Sequence, residues 1–375
     1  MKALFIGGWD GNPNGTVIGC THYWHYLTSN DVEVVNGCIE KSRFTYSAYK
    51  HFPFIFLESF WRGLRLLAKN LFQEFDFAMV NFPCFYDVPL AKLVCWLKGK
   101  PLVYNPMDPQ YVTMVEDRKL ARRGSLKEKI IRLYDWVPCR LADAIVVHSP
   151  MHIDLFEKTA GADRAKFLVV PQGYLREKPK PRPKKFKGFI VGYVGSFIPH
   201  QGVEYIVDAA KILQDQGAKD VQFKLLGFGQ QSQEMQEKSR RLGLENVEFL
   251  GGQNIPEYLD FSANDADVLL GIFGTGLRTE SNVPGKVWEA LAFGKPLITA
   301  ESTGTRFIGV THGKQAWLVG KADAAALARA VLELKEKPGL RRELGQNALA
   351  LFKENYTVKK LGERFLTQLK EKGLL

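Results

Sequence analysis

The residues of this chain best suited to chemistry lie between positions 282 and 296. Pro284, Gly285 and Lys286 form a loop that leads into a helical pattern, and Glu289 follows within its first turn. Free N–H groups at a helix N-terminus, together with a lysine, suit a diphosphate group. A carboxylate at the start of the helix suits sugar hydroxyls, such as those of a ribose. An ordinary βα unit with a capped helix has the same spacing, so the pattern alone leaves both interpretations open.

A resemblance to a known family favours the ligand site. The stretch from Glu289 to Pro296, Glu-Ala-Leu-Ala-Phe-Gly-Lys-Pro, resembles the nucleotide-sugar signature of family 4 glycosyltransferases. Other segments that resemble the family follow in the expected order, at residues 170–173, 191–196, 225–229, 246–251 and 266–271. The resemblance covers residues 166–352 well and the first half loosely. It implies a GT-B fold, a nucleotide-diphosphate sugar as donor substrate, and no metal ion or other cofactor.

The resemblance also assigns residues to the donor site. Glu289 would hold the ribose hydroxyls, and the glycine loop around Gly227 would help to wall the base pocket. A tight βα turn is the alternative for that loop, and a charge favoured at a helix N-terminus is the alternative for Glu289. The residues predicted to bind the donor are Ser196, Phe197, Gln201, Gly227, Gly229, Gln230, Gly251, Gly274, Thr275, Gly276, Arg278, Ser281, Pro284, Gly285, Lys286 and Glu289.

The chain departs from the family pattern at three of these positions. Ser281 stands where the first glutamate of a Glu-seven-residues-Glu motif is usual, although Glu280 is adjacent. Ser196 and Gln201 stand where the family has an arginine and a lysine, which neutralise the leaving diphosphate. The candidates to supply the missing charge are, in order, Lys286, Arg278 and His200.

Two aspartates of the first half join Lys286 as predicted catalytic residues. Asp10 lies in the glycine-rich loop 7–15, and Asp108 follows the strand-like run 101–104, where many relatives place a His-Asp pair. Asp10 would contact the acceptor hydroxyl or the donor sugar, and Asp108 is the second candidate. A surface turn is the alternative for Asp10, because Asn-Pro and Asn-Gly favour turns. The histidines form no His-x-x-x-His pair on a helix and no cluster with cysteines, so no metal site is predicted.

Strand-like and helix-like patterns alternate along the chain. The strand-like runs are residues 3–7, 32–35, 77–82, 101–104, 144–148, 167–170, 189–194, 221–226, 247–250, 267–271 and 296–299. The helical pattern 125–141 has its apolar face at Ile130, Leu133, Tyr134 and Val137. This alternation predicts an α/β protein with two doubly wound Rossmann-like domains, which would face a cleft as in GT-B folds.

The basic, proline-rich segment 174–188 is the predicted domain linker. Residues 1–175 would form the N-terminal, acceptor-binding domain. Residues 187–356 would form the C-terminal, nucleotide-sugar-binding domain. A last helix, at about residues 357–375, would pack back on the first domain.

The amino-acid composition limits where the protein would be located in the cell and which molecules it would bind. The five cysteines contain no Cys-x-x-Cys pair, which argues against a disulfide framework and for a cytoplasmic protein. The net charge of +11 favours anionic partners. No helix-turn-helix, zinc or aromatic–basic RNA motif occurs, so nucleic acid is not an expected partner.

Residues 50–75 are unusually apolar and aromatic. A helix there would place Arg62, Arg65 and Lys69 opposite the face formed by Leu57, Phe60, Trp61, Leu64, Leu67 and Leu71. Such a helix suits either a membrane interface or the core of the first domain. The basic cluster 118–132 adds to the first interpretation. We therefore expect peripheral attachment to an anionic membrane, on its inner face, and an acceptor that is a glycan or is linked to a lipid.

These patterns together predict a nucleotide-sugar-dependent glycosyltransferase of the hexosyltransferase type. It would move a sugar from the donor to the acceptor and retain the configuration at the sugar. A sugar-nucleotide epimerase of the same fold is one alternative. A non-catalytic, membrane-associated relative is the other, and the altered residues Ser196, Gln201 and Ser281 would suit it.

Overall fold

The computed structural model describes residues 1–7, 18–37 and 64–375, except for the side chains of residues 18–20. Asp10 and the part of segment 50–75 before residue 64 lie outside these ranges. The chain divides into two compact units. The first consists of Met1–Val115, Lys119–Leu175 and Val358–Leu375, and the second of Glu116–Arg118 and Arg176–Thr357.

The first unit contains a six-stranded parallel sheet in the order β2-β1-β3-β4-β5-β6. Its strands are β1 (Lys2–Ile6), β2 (Glu33–Asn36), β3 (Phe77–Asn81), β4 (Leu102–Asn105), β5 (Ala144–Val147) and β6 (Phe167–Val169). Every residue of β3, β4 and β5 is buried, because helices cover both faces of a parallel sheet. The helices are Ile18–Thr28, residues 64–70, Val88–Lys98, Leu126–Leu141, Pro150–Ala160 and Val358–Glu371. Shorter turns are Phe85–Asp87, Val112–Asp117 and Arg164–Lys166.

The second unit contains another six-stranded parallel sheet, in the order β12-β11-β10-β7-β8-β9. Its strands are β7 (Phe189–Val194), β8 (Val221–Leu226), β9 (Val247–Gly251), β10 (Val268–Leu270), β11 (Leu297–Ala300) and β12 (Trp317–Val319). Its helices are Val203–Asp215, Ser232–Arg241, Ile255–Asp260, Leu277–Ser281, Gly285–Phe293, Thr303–Phe307, Ala324–Glu336 and Pro338–Asn355. Short turns are Pro199–Gln201 and Phe261–Asp265. This is the strand order of a Rossmann-type, doubly wound sheet.

The predicted strands are all confirmed, each within one residue at either end. The strand β12 is not among them, because it has only three residues and its burial is incomplete.

The predicted apolar face of the helix Leu126–Leu141 is wrong. The structure buries Ile131, Asp135 and Cys139 instead, and it leaves Leu133 49% exposed. The cause is Asp135, whose carboxylate accepts the backbone N–H groups of residues 110 and 111 at 2.8 Å each. The apolar pattern assigns a charged residue such as Asp135 to the exposed side. Because Asp135 is buried instead, the pattern predicted the wrong buried face for this helix.

The segment rich in lysine and proline packs on the second unit. Arg182 donates to Asp260 at 2.9 Å and to Asp265 at 2.7 Å, and Lys184 pairs with Asp267. Three carboxylates therefore balance part of its positive charge.

The last helix, Val358–Glu371, packs within the first unit. The Phe365 ring contacts the Tyr23 ring edge to face at 5.3 Å between centroids. Gln368 accepts the Val169 N–H at 2.8 Å and donates to the Val169 carbonyl at 3.1 Å. One amide side chain thus satisfies both backbone groups of a residue in β6.

Candidate active site

Two loops of the second unit meet where its strand order reverses, between β7 and β10. Gly202, in the loop after β7, has a φ of +66°, and a Cβ atom there would lie 2.4 Å from the nitrogen of Gly274, in the loop after β10. Only glycine allows two backbones to approach so closely. In open α/β sheets, ligands bind at the carboxyl ends of the strands at this reversal. This edge of the second sheet is therefore the candidate ligand site.

The loops after β8 and β9 bring together the residues predicted to wall a base pocket. The Gly227 N–H donates to the Gly251 carbonyl at 2.7 Å, and the Phe197 N–H donates to the Phe228 carbonyl at 3.1 Å. The Phe228 ring lies beside Gly252 and is 73% exposed. An exposed aromatic ring at this edge suits stacking on a nucleobase. The sequence prediction took only the glycines of this loop and missed Phe228, although an aromatic residue between two turn glycines was the available signal.

Lys286 lies in the first turn of the helix Gly285–Phe293, not in the loop before it as its spacing predicted. Its Nζ donates to the Gln201 Oε1 at 2.5 Å and lies 3.6 Å from the centroid of the Tyr193 ring. Gly195 makes room for it, since a Cβ atom there would lie 2.5 Å from Nζ. Burial lowers the pKa of Lys286 well below its usual range, and the charge of Glu289 opposes this shift.

A chain of hydrogen bonds connects Lys286 to a buried carboxylate. Gln201 donates from Nε2 to the Nε2 atom of His200 at 2.7 Å, and the Nδ1 atom of His200 lies 3.0 Å from the Asp117 carboxylate. The His200 ring therefore carries its proton on Nδ1, where it can donate to Asp117. Arg278 donates to the same carboxylate oxygen at 2.9 Å. The chain fixes the Gln201 amide with its oxygen toward Lys286.

The charge state of Asp117 follows from these contacts. Burial raises the pKa of this carboxyl, but the hydrogen bond from His200 and the charge of Arg278 outweigh that effect and hold the pKa below its usual range. Asp117 is therefore ionised at neutral pH, and it balances the guanidinium of Arg278. That engagement leaves Lys286 as the leading candidate to carry positive charge toward a ligand.

Two glutamates near this helix have different environments. Glu289 lies in the same helix as Lys286 and is 4% exposed. Glu280, which is adjacent to the missing family glutamate, binds the Thr303 N–H at 2.8 Å and pairs with Lys321. Burial opposes ionisation of Glu280, but Lys321 and Thr303 lower its pKa to about 2. Glu280 is thus committed to contacts within the protein.

The other predicted donor residues follow the same strands. Ser196 is exposed after β7, and its carbonyl accepts the hydroxyl of Tyr193 at 2.8 Å. The Gly229 N–H donates to Ser232 at 2.6 Å in the loop after β8. The residues after β10 are the exposed Thr275 and Gly276, the buried Ser281, and Pro284, which caps the helix that begins at Gly285. Gln230, in the loop after β8, is exposed and donates to the backbone of Arg118 at 3.4 Å.

Asp108 belongs to a separate polar cluster in the first unit. Its carboxylate lies 3.0 Å from the Nε2 atom of His152, whose Nδ1 atom lies 2.8 Å from the hydroxyl of Ser149. His152 is completely buried, and Asp108 is 8% exposed. Met107 before it has a φ of +65°, uncommon outside glycine. The sequence has no histidine directly before Asp108, but the structure places His152, in the first turn of the helix Pro150–Ala160, beside its carboxylate.

Burial also shifts two neighbours of Asp108. It raises the pKa of Asp135 to about 7, although the N–H groups of residues 111 and 110 oppose this shift. Burial lowers the pKa of His148 to about 4, and the nearby His152 adds to the effect. The sequence prediction missed His152 and Ser149. Their signal was the pattern His-Ser-x-x-His directly after a buried strand.

Metal-binding clusters and membrane-spanning helices can be assessed for residues 1–7, 18–37 and 64–375. Within these ranges, no group of three or more His, Cys, Asp or Glu side chains is arranged to hold a metal ion. No helix in the same ranges combines the length and the apolar character that crossing a membrane requires.

Comparison with known proteins shows what the chain is similar to. Residues 176–350 match the family model described as glycosyl transferases group 1. The chain is 28% identical to D-rhamnosyltransferase WbpZ of Pseudomonas aeruginosa over 301 residues, which cover 77% of this chain and 72% of WbpZ. It is 24% identical to the putative colanic acid biosynthesis glycosyltransferase WcaL of Salmonella typhimurium over 317 residues, which cover 78% and 73% of the two chains.

Solved structures share the fold. HepE from Anabaena, in complex with UDP, superposes with a TM-score of 0.68 at 19% identity and covers 99% of this chain and 100% of its own. Sucrose-phosphate synthase from Thermosynechococcus elongatus superposes with a TM-score of 0.70 at 18% identity and covers 99% and 98%. These likenesses confirm the predicted fold class, GT-B. Together with the match over residues 176–350, they support identification of the chain as a glycosyltransferase of group 1.

Proposed function

We propose that this glycosyltransferase takes its sugar from a nucleotide-diphosphate donor, and that the donor binds at the carboxyl edge of the second sheet. The observation that supports this most directly is the ammonium group of Lys286. It lies at the N-terminus of the helix Gly285–Phe293, at the reversal of strand order, in contact with Gln201 and the Tyr193 ring. HepE, which shares the fold, has been crystallised with UDP.

The family that this chain resembles has an arginine and a lysine where this chain has Ser196 and Gln201. In this proposal, Lys286 supplies the positive charge of those two residues. The diphosphate gains negative charge as the bond to the sugar breaks, and a fixed ammonium group beside a helix N-terminus stabilises that charge. Gln201 holds the ammonium in place, while His200 and Asp117 hold Gln201. Glu289, close to Lys286 in the same helix, would bind the ribose hydroxyls. The transfer would need no metal ion.

The acceptor in this proposal is a glycan or a lipid-linked sugar. The relatives WbpZ and WcaL are named for sugar transfer and for the biosynthesis of a polysaccharide, which supports this class of acceptor. Asp108, which His152 contacts from the helix Pro150–Ala160, is the group we propose for the acceptor hydroxyl. We further propose retention of configuration, hexose as the transferred sugar, and action in the cytoplasm.

A ligand panel followed by a turnover assay tests the donor. Thermal unfolding is measured with diphosphates of each nucleoside and with their sugars. A bound ligand at ~100 times its dissociation constant should add about 2.7 kcal/mol of stability. The stabilising sugar nucleotide is then incubated with and without candidate acceptors, in chelator.

Transfer that occurs only with an acceptor supports the proposal, and NMR of the product gives the anomeric configuration. Conversion of the donor without an acceptor would indicate an epimerase, and stabilisation without turnover would indicate a binding protein. Glu289→Gln should raise the Michaelis constant for the donor, because its contact exists in both ground and transition states. Glu245→Gln, at an exposed site, is the matched control.

A further inference from the structure

Helix Val88–Lys98 of the first unit presents an apolar stripe to solvent. Trp96 is 72% exposed, Leu97 55% and Leu93 39%, and these residues follow one face at helical spacing. The opposite face is buried in the core of the unit through Val88, Ala91, Val94 and Cys95. A soluble protein seldom leaves such a contiguous apolar face uncovered unless a partner binds it.

The neighbouring helix, Leu126–Leu141, continues this surface. Its exposed stripe contains Leu126, which is 74% exposed, and Leu133 and Trp136, each 49% exposed. The basic residues Lys129 and Arg140 fall on the same stripe and are exposed. The two helices pack side by side, and both contribute to the same core. Their exposed stripes therefore face the same side of the unit, and we call this surface the tryptophan face.

The exposed charges on the two stripes have one sign. Neither stripe carries a carboxylate, and the two acidic residues of these helices, Glu128 and Asp135, are both buried. The exposed basic residues on and beside the face are Arg122, Lys127, Lys129 and Arg140. The occupant of the face should therefore combine an apolar layer with negative charge.

We propose that the tryptophan face docks this protein on a lipid bilayer that carries anionic headgroups. Tryptophan prefers the boundary between headgroups and acyl chains, where Trp96 and Trp136 would lie. The leucines would enter the outer acyl region, and the basic residues would contact lipid phosphates. A second copy of the chain fits less well, because a two-fold interface would place the basic residues of one face against those of the other.

This surface differs from the one that residues 50–75 predicted. The described part of that segment buries Leu66 and Asn70, and it exposes Leu64 by 42% and Phe72 by 85%. The proposal concerns the lipid alone and does not rest on the donor or on turnover. Its failure would leave the proposed function standing, and the reverse is also true.

Vesicle flotation of the full chain tests the proposal. Wild-type protein should float with vesicles of phosphatidylcholine and phosphatidylglycerol at low salt, and less with phosphatidylcholine alone or at high salt. The double variant Trp96→Ser, Leu97→Ser should lower the partition constant about tenfold or more, because burying a leucine alone is worth that much. Lys129→Glu with Arg140→Glu should weaken binding only to the anionic vesicles.

The control for the charge variant is Arg240→Glu with Arg241→Glu, which makes the same change on exposed residues of the helix Ser232–Arg241. It should bind as wild type does. Thermal unfolding of every variant should be unchanged, since these side chains are solvent-exposed. The absence of vesicle binding at low salt would overturn the proposal, as would equal binding by the Trp96, Leu97 variant. A wild-type dimer that the same variant dissociates would identify the occupant as a second copy, and would overturn it too.

Discussion

Substitution of Lys286 by alanine removes one charge from the candidate donor site. The two groups that contact its ammonium, the Gln201 amide at 2.5 Å and the Tyr193 ring at 3.6 Å, are uncharged. Arg278 is paired with the Asp117 carboxylate. A unit charge ~4 Å from a developing charge is worth about 4 kcal/mol at an effective dielectric constant of 20. Loss of one preorganised donor typically costs on the order of 100- to 1,000-fold in turnover.

We therefore expect Lys286→Ala to lower the turnover number by about 100-fold or more. The assay measures turnover at saturating donor, with far-UV circular dichroism to verify folding. Lys295→Ala is the matched control, because Lys295 follows the C-terminal end of the same helix and should leave turnover near that of wild type. If Lys286→Ala turned over within a factor of a few of wild type, the leaving diphosphate would have to bind elsewhere, and the reasoning would be refuted.

The same substitution should change how stability depends on pH. The pKa of Lys286 is lower in the folded than in the unfolded chain, so the unfolded chain binds more protons below the usual lysine pKa. Folding therefore loses stability as the pH falls from that value toward the folded pKa. Lys286→Met removes this loss. Its advantage over wild type in thermal unfolding should be largest near neutral pH and should shrink as the pH rises toward 10.5.

Three further outcomes are expected. Donor binding should be accompanied by proton uptake, because the negative charge of a diphosphate raises the lowered pKa of Lys286 again. Calorimetry in buffers of different ionisation enthalpy would measure this uptake. Lys286→Ala should abolish it. Phe228→Ala should weaken nucleotide binding by about 1–3 kcal/mol without changing thermal unfolding, since the ring is 73% exposed; equal affinity would remove the stacking role. Asp108→Asn should lower turnover and leave donor affinity unchanged. His152→Gln should lower turnover by a smaller factor. An unchanged turnover in Asp108→Asn would exclude that carboxylate from the reaction.

The fold was largely predictable because it is encoded in local patterns. Buried parallel strands such as β7 are continuous apolar runs, and turn residues separate them from amphipathic helices. The same logic failed at Asp135, where a carboxylate occupies the buried face of its helix and accepts two backbone N–H groups. It also missed β12, in which two of the three residues are only half-buried.

The candidate site was predictable only where its residues are neighbours in sequence. The spacing of Lys286 and Glu289 indicated a candidate site, although their helix begins at Gly285, earlier than the loop pattern predicted. The contact of Lys286 with Gln201 joins residues 85 positions apart, and that of His152 with Asp108 joins residues 44 apart. No local pattern contains such a pair, because the order of strands in the sheet decides which loops meet. Residue types in the sequence predicted a class of ligand. The hydrogen-bond partners of those residues could be identified only in the folded structure.

The position of Asp117 affects how this protein can be dissected. It belongs to the second unit by its contacts, yet it precedes the rest of that unit in sequence by more than fifty residues. A chain cut to residues 176–357 would keep both His200 and Arg278 but would lack the carboxylate that each of them contacts. Without Asp117, His200 would no longer be held in the position that orients the Gln201 amide. The contact of Gln201 with Lys286 would be weakened as a result. Transfer of residues 176–357 to another protein therefore requires that the recipient supply an equivalent carboxylate from its own chain.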